Sequence, residues 1–272
     1  MALRTVDVRG RKVAVEEIGA GSPLLYLHGF ADIHGVSAVP LDFHDALARG
    51  ARLIAPAHPG VNGSDELSDG YAPSDVVFHY LELLDALKIQ KFDLVGHSVG
   101  GWIAAELAVT IPDRINRLAL IGATGLQVPG SHIADIFMHA QPERGTDFAS
   151  MRNILFADAT SKLGNRYFPD GRSETEEEVR RYQMLRFSSF IGFRPPYLYD
   201  RALKARLYRA TMPSMVLWGE HDNFVPRAHG DAYAAGLPGS GGRLMTVPAA
   251  GHSAPMEAAD ATASHITKFL NG

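Results

Sequence analysis

The residues best suited to do chemistry sit in Gly96-His97-Ser98-Val99-Gly100, a Gly-x-Ser-x-Gly pattern. An apolar run before it reads as a strand, and Gly101 to Val109 reads as a small-residue helix stopped by Pro112. The pattern therefore falls on a strand-to-helix turn. Glycines on both sides of Ser98 permit a turn tight enough to lift its hydroxyl clear of the sheet edge, and the helix start aims free N–H groups at developing negative charge. An ordinary glycine-rich turn is the bland alternative. A serine hydroxyl is a poor nucleophile at neutral pH, so the chemical reading needs a histidine base and an acid to orient it. His252, in Ala250-Gly251-His252-Ser253, follows the last expected strand and precedes the last expected helix. Asp222 follows the preceding strand, in Trp218-Gly219-Glu220-His221-Asp222, with Glu220 as the fallback. The other place for an acid, after the strand ending at Ile121, reads Gly122-Ala123-Thr124-Gly125 and holds no carboxylate.

These side chains can meet only if strands deliver them to one edge of a sheet. Leu24 to Leu27, Arg52 to Ala55, Asp93 to Val95, Leu118 to Ile121, Ser214 to Trp218 and Arg243 to Val247 read as short buried strands. Helical stretches alternate with them. One takes Ser74 as its N-cap and carries Val77, Tyr80, Leu84 and Leu87 on one face; others run near Arg227 to Ala235 and from Ala254 to Leu270. This alternation predicts an α/β fold, a doubly wound, mostly parallel sheet covered on both faces. It fails between Ile121 and Ser214, where roughly 90 residues stand in place of a short connection. Residues 123–213 hold 12 of the 24 aromatic residues and 13 Lys/Arg against 10 Asp/Glu. An aromatic, mildly basic insert on an acidic body is expected, with Ser173 and Glu176 forming a capping box before Val179. The expected division is a core of 1–122 and 214–272 interrupted by a helical cap at 123–213.

The 272 residues allow one large domain or one domain with an insertion, and 46% hydrophobic with 21% charged residues is the balance of a soluble globular chain. A net charge of -4 argues against a nucleic-acid partner. The chain has no Cys, which excludes disulfides, thiolate metal sites and cysteine nucleophiles. Its 12 histidines form no His-Glu-x-x-His or similar cluster, so neither a metal nor a cofactor is expected. No apolar stretch reaches the ~18 residues of a membrane span and the N-terminus lacks a secretory apolar core, so a cytoplasmic location is the expectation.

Five ordered features resemble the α/β-hydrolase fold with a helical cap: Leu27-His28-Gly29-Phe30, Pro59-Gly60-Val61-Asn62-Gly63-Ser64-Asp65, the turn at Ser98, Gly219 to Asp222 followed by Pro226, and Gly251-His252. The resemblance spans roughly residues 10 to 270. It implies Ser98 as nucleophile, His252 as base and then acid, Asp222 as its orienting partner, and an oxyanion hole of the backbone N–H groups of Phe30 and Val99. Relatives commonly carry Gly where this chain has Asn62, which tolerates positive φ better than other non-glycine residues. His97 and His28 are expected to pack beside the site without reacting, His221 to sit in a surface loop and His265 to be irrelevant. Trp102 is placed near the nucleophile by its motif, and Phe137, Met138, Phe187, Phe190, Tyr197 and Tyr199 could form an apolar lid.

The leading expectation is hydrolysis of small to medium apolar carboxylic esters through an acyl-enzyme, with a small-molecule ester as the expected partner and the oligomeric state left open. The alternatives are cleavage of a carbon–carbon bond in a vinylogous diketo acid, as in meta-cleavage product hydrolases, lactone hydrolysis or perhydrolysis with the same triad, and a ligand-binding receptor on the same fold. Ring-fission hydrolases often place Asn before the serine, where this chain has His97, which tilts the expectation toward esters.

Overall fold

The computed structural model describes residues 2–30, 32, 42–67, 71–139, 148–171, 175–194 and 197–272. The chain opens with a hairpin of β1 (Ala2–Val8) and β2 (Arg11–Ile18), turned by Arg9 and Gly10 at positive φ. The expected strands follow as β3 (Pro23–Leu27), β4 (Arg52–Pro56), β5 (Phe92–His97), β6 (Ile115–Ile121), β7 (Ser214–Gly219) and β8 (Leu244–Val247). All eight join one sheet in the order β1-β2-β4-β3-β5-β6-β7-β8. The hairpin pairs antiparallel and every pairing from β4 to β8 is parallel. The doubly wound, mostly parallel sheet is thus observed. Every strand from β3 to β7 also sends its carboxyl end to one edge, where ligands of open α/β sheets gather.

Helices α1 (Asp42–Ala48), α2 (Pro73–Ala86) and α3 (Val99–Thr110) link the first parallel strands. Between β6 and β7 lie α4 (Ile136–His139), α5 (Arg152–Leu155), α6 (Lys162–Tyr167), α7 (Glu176–Gly192) and α8 (Leu203–Arg206). No described residue of this insert joins the sheet. After it come α9 (Arg227–Gly236), α10 (Ala254–Glu257) and α11 (Ala259–Asn271). Side chains of α2, α3 and α9 form one apolar core with the insert, and those of α1 and α11 form a second on the opposite face. Strands covered on both sides must be apolar on both sides, which is why β3, β5 and β7 read as short continuous apolar runs.

Three helix boundaries differ from the sequence expectation. Ala72, not Ser74, is the N-cap of α2, because Pro73 supplies a helical φ at the first position and the Asp75 carboxylate closes the turn on the Ala72 N–H at 2.7 Å. Ser173 lies outside the described residues, and α7 is capped by Thr175, whose hydroxyl accepts the Glu178 N–H at 3.4 Å. The terminal helix breaks at Ala258, whose φ of -135° separates α10 from α11.

The small residues of α3 have a physical cause. A Cβ on Gly100 would collide with the Leu27 carbonyl, and one on Gly96 with the Gly100 carbonyl, so the helix lies against the sheet at backbone distance. Gly100→Ala is expected to cost ~1–3 kcal/mol or more by overpacking and to lower the melting temperature by at least about 2 °C. Gly50→Ala, where a Cβ meets nothing within 4 Å, should stay within about 1 °C of wild type in the same thermal denaturation.

Candidate active site

Ser98 follows β5 with φ 57° and ψ -121°, a conformation that costs a non-glycine residue ~1–3 kcal/mol. Its backbone is held from three sides. The Ser98 N–H donates to the Ile121 carbonyl on β6 at 2.9 Å, and the Ser98 carbonyl accepts from the N–H groups of Trp102 and Thr124, each at 3.1 Å. The turn delivers Ser98 Oγ to 2.8 Å from His252 Nε2.

His252 arrives on the loop after β8 and Asp222 on the loop after β7. His252 Nδ1–H donates to Asp222 Oδ2 at 2.9 Å, leaving Nε2 to accept from the serine hydroxyl. The other Asp222 oxygen accepts the N–H groups of Phe224 (2.9 Å) and Val225 (2.8 Å), so the carboxylate cannot rotate away. The Phe224 ring meets the imidazole edge-on at 4.7 Å. Ser98 and His252 are 2% exposed and the Asp222 side chain 1%, so water is displaced from the whole relay. Gly122 explains why no acid stands after β6. At φ 50°, a Cβ there would lie 3.2 Å from His252 Nδ1 and 3.3 Å from Asp222 Oδ2. Glu220, the fallback acid, is half exposed and accepts the Ala249 N–H at 3.0 Å.

The loop after β3 closes the other side. The N–H groups of Phe30 and Val99 have no backbone partner among the described residues. A Cβ on Gly29 would lie 2.8 Å from Ser98 Cβ, which shows how closely the loop passes the serine. His58 braces this loop. Its Nε2–H donates to the His28 carbonyl at 2.9 Å, its Nδ1 accepts from the Tyr80 hydroxyl at 2.5 Å, and its backbone N–H donates to His28 Nε2 at 3.2 Å. That bond leaves His28 Nδ1–H for the Gly29 carbonyl at 2.8 Å. Burial lowers the pKa of both histidines, His28 to about 4, so both rings are neutral at pH 7.

The insert touches each of these loops. The Phe30 ring stacks on Phe168 (6.2 Å) and meets Phe148 (6.5 Å), and Phe187 of α7 stacks on His58 at 4.3 Å. The Ser253 N–H donates to the Leu155 carbonyl at 2.8 Å, and Glu257 accepts the N–H groups of Ala157 and Gly251, both at 2.8 Å. Asn62 does adopt positive φ, at 47°, while its N–H donates to Gln183 at 2.9 Å and its side-chain oxygen accepts Arg180 Nε at 2.9 Å.

The suggested lid residues divide. Phe187 is buried against His58, and Phe190 packs on Tyr71 at 4.9 Å. Phe137 and Tyr197 cluster with Phe193, and Tyr197 and Tyr199 line a small crevice that ends at His229. Met138 is 58% exposed, so the structure shows it facing outward instead of forming an apolar lid. Trp102 is fully buried beneath Gly125 and belongs to the core. The sequence reading passed over Asp32, Arg181 and Glu257. Asp32 and Glu257 acquire their partners only through folding, and Arg181 reads as one charge among Glu176, Glu177, Glu178 and Arg180. Among the described residues no group of three or more His, Asp or Glu could hold a metal ion, and no helix is long and apolar enough to cross a membrane.

A family model of the alpha/beta hydrolase fold matches residues 22–259. The chain is 36% identical over 160 residues to a 2-hydroxymuconate semialdehyde hydrolase of Pseudomonas sp. (strain CF600), a match covering 56% of this chain and 53% of that protein. It is 29% identical over 287 residues to the dihydrolipoyllysine-residue acetyltransferase component of the acetoin cleaving system of Pseudomonas putida, covering 99% of this chain and 69% of that one. Among solved structures, the 2-hydroxy-6-oxo-6-phenylhexa-2,4-dienoate hydrolase from Rhodococcus sp. strain RHA1 superposes with a TM-score of 0.77 at 18% identity, covering 100% of this chain and 99% of that one.

One turn beyond Ser98, Trp102 Nε1–H donates to the buried Glu106 carboxyl at 3.2 Å, and Arg206 reaches the same group at 3.1 Å while also pairing with Asp200 at 2.9 Å. Burial raises the Glu106 pKa to about 7, the Arg206 charge opposing it only in part. The folded chain therefore keeps a proton on Glu106 that the unfolded chain releases near pH 4.5, so the contribution of Glu106 to stability is fully present below that pH and is lost as pH rises to 7. Glu106→Gln removes this dependence. The variant's unfolding free energy in urea, minus that of wild type, is expected to rise by about 2–3 kcal/mol between pH 4 and pH 8.

Proposed function

Because the chain belongs to the α/β-hydrolase fold family, we propose that it is a serine hydrolase in which Ser98 attacks a substrate carbonyl and His252 takes and returns the proton. The observation that carries this reading is the buried relay from Ser98 Oγ through His252 to Asp222. Asp222 holds the imidazole in the tautomer that accepts the serine proton and stabilises the imidazolium that forms. The N–H groups of Phe30 and Val99, without a backbone partner among the described residues, supply the oxyanion hole, a device worth ~100 to 1,000-fold in rate per donor. Residues 123–213 act as a cap, their aromatic rings sealing the site from water.

For the substrate, we favour a small carbonyl compound that carries a carboxylate. Arg181, on α7, is 4% exposed, its guanidinium lies over the Phe168 ring at 5.4 Å, and its Nε has no hydrogen-bond partner. Phe168 in turn stacks on Phe30, so a buried cation lies two rings from the oxyanion loop. Glu177 and Glu178 offset this charge only in part, since burial still lowers the Arg181 pKa, and an anionic substrate group would complete the compensation. The similarity to a 2-hydroxymuconate semialdehyde hydrolase favours the same class. The first reading is thus hydrolysis of a carbon–carbon bond in a vinylogous diketo acid. Ser98 adds to the terminal carbonyl of the diketo tautomer and its proton passes to His252, the carbon–carbon bond breaks as its electrons enter the conjugated system, the His252 proton ends on the leaving fragment, and water deprotonated by His252 cleaves the acyl-enzyme and returns the Ser98 hydroxyl. Ester hydrolysis follows the same steps with an alkoxide leaving, and His97 ahead of Ser98 favours it as the second reading.

Wild type is expected to react with a fluorophosphonate probe and Ser98→Ala is not; an unlabelled wild type would end the serine-hydrolase reading. Turnover of 2-hydroxymuconate semialdehyde should exceed that of the best p-nitrophenyl ester in kcat/KM by about 100-fold, and the opposite ranking makes the chain an esterase. Arg181→Gln should raise KM for the acid substrate about 10-fold or more and leave a neutral ester unaffected. Asp222→Asn should lower kcat by about 10,000-fold, whereas Glu220→Gln stays within about twofold of wild type.

A further inference from the structure

Around the proposed relay, and resting on the role proposed for Ser98, the structure assigns a positioning role to a second buried pair, Asp32 and His97, which joins the oxyanion loop, the serine turn and the loop of the base. Asp32 Oδ1 accepts the Gly29 N–H at 2.7 Å and lies 2.9 Å from His97 Nδ1, while its other oxygen accepts the Tyr26 hydroxyl of β3. His97 Nε2–H donates to the backbone carbonyl of His252 at 2.8 Å. Both side chains are 1% exposed.

The protonation state of His97 follows from its neighbours. One ring nitrogen faces a carboxylate oxygen and the other a carbonyl oxygen, neither of which can donate a proton in its ordinary state. Nδ1 lies at ion-pair distance, 2.9 Å, from the anionic oxygen without the alignment of a hydrogen bond, so a bare Nδ1 would set two electron-rich atoms against each other. Both nitrogens therefore carry hydrogen, and the ring is an imidazolium. Burial opposes that charge but Asp32 overrides it and raises the His97 pKa; burial equally opposes the Asp32 charge, and His97 draws that pKa down. Among the described residues Tyr26, His28, His58, Tyr167, His252 and Asp222 are the other titratable groups near the pair. His28 and His58, without a carboxylate at ion-pair distance, stay neutral a few ångströms away.

A buried ion pair is weak evidence of stability, because desolvation offsets most of the attraction. Its value here lies in what it fixes. Asp32 orients the peptide that precedes the Phe30 N–H. His97 is the residue before the nucleophile, and its ring holds the carbonyl of the residue whose own ring must point at Ser98. The three segments meet with no room to spare: a Cβ on Gly29 would lie 2.7 Å from His97 Nδ1, 2.8 Å from Ser98 Cβ and 2.9 Å from Asp32 Oδ1. A displacement of about 1 Å in such an assembly costs on the order of 100-fold in rate.

The test uses the full chain with Asp32→Asn and His97→Gln. Each is expected to lower kcat and the fluorophosphonate labelling rate by about 100-fold with KM changed less than about threefold, and the double variant to be no slower than the worse single one. A ¹⁵N spectrum of histidine-labelled protein at pH 8 should show one ring with both nitrogens protonated, absent from His97→Gln and neutral in Asp32→Asn. Wild-type labelling rates in both variants, or a neutral His97 ring in wild type, overturn the inference while leaving Ser98 as nucleophile. An unlabelled wild type overturns the Ser98 reading instead. Should Asp32→Asn fail to fold, the wild-type spectrum assigned with His97→Gln decides.

Discussion

The strained backbone of Ser98 is the constraint on which the rest of the structure depends. A serine at φ 57° persists only where its surroundings offer more than the strain costs, and here β6 takes its N–H while α3 and the segment after β6 take its carbonyl. Those bonds require β5 and β6 to be parallel neighbours in register and α3 to start immediately after the serine. They also require α3 to lie against the sheet at backbone distance, which only Gly96 and Gly100 allow. The doubly wound sheet is therefore the set of neighbours that makes one unfavourable dihedral affordable, with the result that a hydroxyl stands clear of the carboxyl edge.

The same economy governs the buried histidines. His28, His58, His97 and His252 are all within 2% of full burial, yet they hold protons differently because each faces different partners. His28 and His58 face one another and a tyrosine hydroxyl, so burial wins and both rings are neutral donors and acceptors of fixed orientation. His97 and His252 each face a carboxylate through Nδ1. They part at Nε2, where His97 meets a carbonyl that can only accept and His252 meets a hydroxyl that can donate. The single difference between an acceptor and a donor at that atom separates the cation proposed for His97 from the base proposed for His252.

What the sequence made legible was whatever is local. Ser98, His252 and Asp222 each stand at the end of a strand in a short recognisable segment, and the apolar runs that deliver them are buried on both faces and so read plainly. The trio could be brought together on paper because parallel strands share one carboxyl edge. Asp32, Glu257, Glu106 and Arg181 carried no such signal. Each depends on a partner from a distant segment: Asp32 on His97, Glu257 on the N–H of Ala157, Glu106 on Arg206, Arg181 on the Phe168 ring. Trp102 was misplaced for the opposite reason. Its position one turn past Ser98 is local and correct, but the face of α3 on which it lies is decided by Gly125, which packs over the indole.

The insert shows why position and specificity are hard to separate in this molecule. Its aromatic rings press on Phe30 and His58, its backbone takes the N–H of Ser253 beside the base, and Gln183 and Arg180 bind Asn62 in the loop that follows β4. Each loop that would hold a reacting group is thus braced by a residue of the segment that would choose the substrate. Asn62 illustrates the exchange: where a glycine would satisfy the turn alone, the asparagine satisfies the turn and adds a side-chain oxygen for Arg180, so a departure from the common motif becomes a tie between body and insert. A change in the insert that admits a different substrate must then preserve these braces or move the loop of Phe30 with it, since the rings of Phe148 and Phe168 pack directly on Phe30.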